Sequence, residues 1–69
     1  MQKKVIIASE SAYRRNLLSN MLSSHKEILI IEVVRNGKEV VNLIKNKEPD
    51  VLILDIEYKS KDWLIPFNL

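Results

Sequence analysis

Two runs along the chain, Val5-Ile6-Ile7-Ala8 and Val51-Leu52-Ile53-Leu54, contain no polar residue. Successive side chains of a strand point to opposite faces, so an unbroken apolar run rich in β-branched residues suits a strand covered on both sides. Both runs read as central strands. A third run, Ile28 to Val34, is interrupted by Glu32. A half-exposed strand tolerates that carboxylate better than a fully covered one, which places this run at a sheet edge.

Between the first and second strands the spacing changes. Leu17, Leu18, Met21 and Leu22 recur at helical intervals amid Arg14, Arg15, Asn16 and Asn20. That pattern predicts an amphipathic helix over roughly residues 11–23, with Ser9 or Ser11 as its cap. A second helix follows Asn36-Gly37, its apolar positions Val40, Val41, Leu43 and Ile44 set among Lys38, Glu39, Lys45 and Lys47. Glu48-Pro49-Asp50 closes it, because the residue before a proline is pushed out of the helical region. Strands alternating with helices pair in parallel, and right-handed crossovers put the first strand between the other two with one helix on each face. The expected fold is therefore an α/β doubly wound parallel sheet, β-α-β-α-β, with strand order 2-1-3. It occupies residues 1–69 as one small domain, and residues 58–69 form a tail of different character.

Composition narrows the setting. The 69 residues include no cysteine, which excludes disulfides and thiolate metal sites and fits a cytoplasmic protein. Lys3 and Lys4 precede an apolar run too short for a signal peptide, and no stretch reaches the ~20 residues of a membrane span, so a membrane role is not expected. The net charge of +2 comes from basic and acidic residues interspersed throughout. A mixed-charge surface of that kind makes nucleic acid an improbable partner. A sheet this small has little core, so self-association is the first stabiliser to expect.

In an open parallel sheet, ligands bind beyond the carboxyl ends of the strands. Here that edge collects Ser9 and Glu10 after the first strand and Asp55 at the end of the third. Neighbouring strands lie ~4.8 Å apart, so Glu10 and Asp55 can approach one ion. A hard cation such as Mg²⁺ suits two carboxylates, with the Glu57 carbonyl placed to complete the set. Without a cation, two neighbouring carboxylates repel, and the arrangement must raise a pKa, bind metal or gain a nearby positive charge. The simpler reading makes them solvated turn residues. His25, in the loop before the second strand, reads as a solvated residue, and Tyr13 and Tyr58 as packing on the helix or covering the loop.

Three segments together resemble a known family. Val5-Ile6-Ile7-Ala8-Ser9-Glu10-Ser11-Ala12 looks like the first strand and acidic turn of the receiver domains of two-component response regulators, especially those of chemotaxis methylesterases. Arg35-Asn36-Gly37-Lys38-Glu39 resembles the family's second-helix start. Lys47 through Glu57 resembles the third strand that bears the phosphoacceptor, and the segments fall in register without insertion from Val5 to about Asp62. The resemblance implies a flavodoxin-like fold. It implies that Asp55 accepts a phosphoryl group from a histidine kinase or small phosphodonor, with Mg²⁺ held by Glu10, Asp55 and the Glu57 carbonyl.

Departures from the family pattern qualify this. Ser9 stands at the first of two positions where the family usually has adjacent acids, which predicts weakened Mg²⁺ binding. Lys59 and Trp63 occupy positions where the family commonly has proline and glycine, and Pro66 lies where a third helix should run. The family's fourth-strand Ser/Thr and fifth-strand Lys have no counterpart, so the sequence reads as truncated after the third strand. The exposed edge that results predicts a homodimer, with Trp63, Leu64, Ile65 and Phe67 packing across it; the other reading has Trp63 and Phe67 folding back over their own sheet as intrachain core. The leading expectation is a phosphorelay module rather than an enzyme, since no catalytic triad, phosphate loop or histidine cluster is present. The alternative is a degenerate remnant acting only through protein association.

Overall fold

The structure, a computed structural model, describes residues 1–55. The expectations for Glu57, Tyr58 and the tail at 58–69, including its proposed dimer contacts, lie outside the described residues. Three strands and two helices alternate in the order β1 (Lys3–Ser9), α1 (Ala12–Ser23), β2 (Ile28–Val34), α2 (Gly37–Lys47) and β3 (Val51–Asp55). Both pairings are parallel and the strand order is β2-β1-β3, the β-α-β-α-β portion of a flavodoxin-like sheet. β1 sits in the centre, and Val5, Ile6, Ile7, Ala8 and Ser9 are all buried. Each fully buried Val or Ile side chain contributes about 1.5–3 kcal/mol, so this one strand supplies much of the hydrophobic drive.

Strand alternation sends Ile6 and Ala8 to one face and Val5, Ile7 and Ser9 to the other. On the first face Ala8 packs with the fully buried Val40 of α2, and Val34, Ile44, Leu52 and Leu54 close around them. α1 covers the second face, resting on β1 and β2. Ser11 caps α1 by accepting the Arg14 amide, and Asn36 caps α2 by accepting the Glu39 amide. α2 ends with Glu48 in the left-handed region at φ 48°, a conformation that a residue with a Cβ adopts at a cost.

Two expectations change. The Val51–Leu54 run is not doubly flanked among the described residues: β3 pairs only with β1, and Val51 is 45% exposed. Of its residues Leu52 and Leu54 pack against the Ala8–Val40 core, while Ile53 lines an open cleft, a difference that periodicity does not show. The apolar stripe of α1 is likewise only partly covered, since no residue of the helix is fully buried and Leu17 and Met21 are exposed. Tyr13 stands 75% exposed. His25 is the solvated loop residue expected, 3.8 Å from Glu27.

β2 contains one device the sequence did not reveal. Val5 pairs with Ile30 but Ile6 pairs with Glu32, leaving Ile31 as an extra residue in a bulge. A one-residue slip moves every following side chain to the other face. Glu32 consequently lines an open cleft with Glu39 and Asn42 of α2 instead of meeting α1.

Candidate functional site

Parallel pairing of β1 with β3 sets Ser9 directly opposite Asp55 at the carboxyl end of the sheet. The two side chains point to the same face and meet: the Ser9 hydroxyl donates to Asp55 Oδ2 at 2.7 Å. Ser9 Oγ in turn accepts the Ser11 amide at 3.2 Å, so this fully buried polar side chain is satisfied on both sides. From the first turn of α1, Arg14 donates to Asp55 Oδ1 at 2.9 Å, while Arg15 donates to the Ser9 carbonyl at 2.8 Å. Two cations at the positive end of a helix dipole are unfavourable unless an acceptor or anion lies nearby. Here the sheet edge provides both.

The electrostatic consequence is specific to Asp55. The Ser9 hydrogen bond lowers its pKa most, partial desolvation opposes this, and the Arg14 hydrogen bond and charge lower it further. The net effect holds the carboxyl below the ordinary aspartate range, which keeps it ionised and available as a nucleophile at neutral pH. Beside it an open cleft of about 360 Å³ runs between α1 and β3, lined by Arg14, Leu17, Leu18, Ile53, Leu54 and Asp55. A donor could approach the carboxylate through it.

Of the three expected metal ligands, Asp55 ends β3 and Glu10 sits half-buried just after β1, while Glu57 lies outside the described residues. Oxygen donors of this kind match the chemistry of a hard cation. The described residues contain no group of three His, Cys, Asp or Glu side chains able to hold one, and both Asp55 oxygens already accept hydrogen bonds. The donor set fits Mg²⁺ in kind but is sparse. Arg14 was missed as a site residue because its helical position alone reads as an exposed face. The only hint was the general need of an acidic edge for a neighbouring positive charge.

No family model matches the chain. It is 41% identical over 54 residues to the protein-glutamate methylesterase/protein-glutamine glutaminase of Bacillus licheniformis, covering 78% of this chain and 15% of that protein. It is 35% identical over 63 residues to the corresponding protein 1 of Syntrophomonas wolfei, covering 91% and 18%. The Bacillus subtilis protein of the same name is 37% identical over 54 residues, covering 78% and 15%. The chain is a receiver-type relative of the chemotaxis methylesterases. This receiver segment spans less than a fifth of the length of those relatives, and the methylesterase and glutaminase activities in their names belong to the whole proteins. Among the described residues no helix is long and apolar enough to cross a membrane.

Proposed function

We propose that the chain is a cytoplasmic phosphoacceptor module of a two-component phosphorelay, in which Asp55 receives a phosphoryl group from a histidine kinase or small phosphodonor. The observation that carries this reading is the Asp55 carboxyl at the carboxyl end of the sheet, held by Ser9 and Arg14 and open to a cleft. An Asp55 carboxylate oxygen attacks phosphorus in line, forming an acyl phosphate. The P–O bond to a carboxylate leaving group, or the P–N bond to a phosphohistidine, breaks and its electron pair leaves with the donor. Ser9 fixes the carboxylate's orientation, and the Arg14 guanidinium offers positive charge as the phosphoryl oxygens approach.

Glu10, Asp55 and the Glu57 carbonyl would hold Mg²⁺, weakly because Ser9 replaces an acid. When bound, the ion neutralises charge on the transferring group. A homodimer through the tail is proposed as the assembly. The second reading, an association module without phosphoryl chemistry, is favoured by one observation: both Asp55 oxygens are already engaged by protein donors.

Intact mass after incubation with acetyl phosphate and Mg²⁺ separates the two. The parent chain gains one phosphoryl group and Asp55→Asn gains none. A folded parent with no adduct would leave association as the function.

A further inference from the structure

The Arg14 guanidinium stands at hydrogen-bond distance from Asp55 Oδ1, on the carboxylate a metal would need. Two cations cannot share one carboxylate oxygen closely without repelling each other, so metal and guanidinium are rivals for it. Their holds differ in kind. Arg14 is 55% exposed and its pairing is open to solvent, so it holds the carboxylate weakly. Ser9 is fully buried and bonded on both sides, and its hydroxyl addresses the other oxygen, Oδ2. A cation arriving at Oδ1 therefore displaces Arg14 and leaves Ser9 in place. Arg15 cannot substitute, because it is committed to the Ser9 carbonyl.

We propose that Arg14 is a built-in counter-cation that competes with divalent metal for Asp55, so that guanidinium and metal occupy the carboxylate in alternation. This rests on the reading of Asp55 as a metal-holding phosphoacceptor. It deepens that reading by naming the side chain that sets the metal affinity. Without metal, the Arg14 guanidinium pairs with the Asp55 carboxylate. With metal, the guanidinium turns to solvent and becomes available to an anion on the incoming donor.

The test is an MgCl₂ titration of the full chain at constant ionic strength. It follows the amide resonances of Ser9, Glu10 and Asp55 and the Arg14 Nε–H resonance, in the parent, Arg14→Met and Arg14→Lys. Removing a partly exposed ion-pair partner predicts Mg²⁺ binding about fivefold tighter in Arg14→Met. Arg14→Lys, which keeps the charge, stays within about twofold of the parent. In the parent, the Arg14 Nε–H resonance moves to its solvent-exposed position as Mg²⁺ saturates. Equal affinities in parent and Arg14→Met would overturn the competition while leaving the metal site standing. No response to millimolar Mg²⁺ in either protein would overturn the metal reading and the competition together. Should Arg14→Met fail to fold, the parent's Arg14 resonance decides, since an unmoved signal at saturating Mg²⁺ overturns the proposal.

Discussion

β3 is bracketed by two aspartates that both address β1, and they do different things. At its entry, Asp50 Oδ2 accepts the Lys4 backbone amide at 2.7 Å, and the Asp50 amide returns a bond to the Lys4 carbonyl at 2.8 Å. At its exit, Asp55 accepts from two side chains, the Ser9 hydroxyl and the Arg14 guanidinium. A backbone amide cannot leave without opening the sheet, and the buried Ser9 hydroxyl is held on both sides, whereas an exposed arginine can swing away. The entry end is therefore a staple, and the exit end pairs one fixed partner with one exchangeable partner that chemistry can use.

The comparison can be broken most severely from beneath. Ile7 lies fully buried in the strand both ends depend on. Ile7→Ala should cost about 2–4 kcal/mol in chemical denaturation and loosen both ends alike. Loss at one end only would show that the ends are not supported by a common core. Asp50→Ala should cost about 1–2 kcal/mol by the same measurement and leave phosphorylation of Asp55 intact. A phosphorylation defect in a folded Asp50→Ala protein would erase the distinction between the ends.

Acid sharpens it. The folded-state pKa of Asp55 lies below its unfolded value, so its contribution to stability is complete above the ordinary aspartate pKa. That contribution fades as pH falls below about 4 toward the lowered folded value. Carboxylate NMR should find Asp55 titrating below a free aspartate, and Ser9→Ala should move it upward, because Ser9 is the largest cause of the shift. The smallest effect belongs to the turn before the staple. Glu48→Gly relieves a left-handed residue at φ 48° and should raise stability by about 0.5 kcal/mol in thermal unfolding.

Much of this was legible in advance. Continuous apolar runs marked β1 and β3, Glu32 marked β2 as an edge, and of the two candidate caps for α1, Ser9 and Ser11, it is Ser11 whose short polar side chain accepts an amide the helix start leaves open. Asp55 could be located from strand-end position and family resemblance. The bulge at Ile31 was not legible, since Ile30-Ile31 offers no local signal of which residue is extra. Arg14 was not either, because its partner lies 41 residues away across a crossover.

Local chemistry along the chain was enough to determine the elements, their parallel pairing and the acidic edge, since each depends on spacing, propensity or the handedness of short connections. Tertiary structure alone decided the state of that edge. Whether Asp55 faces water, a metal or a cation depends on which side chains from β1 and α1 arrive within 3 Å of it. That is fixed by strand register and by how one turn of helix lies over the sheet.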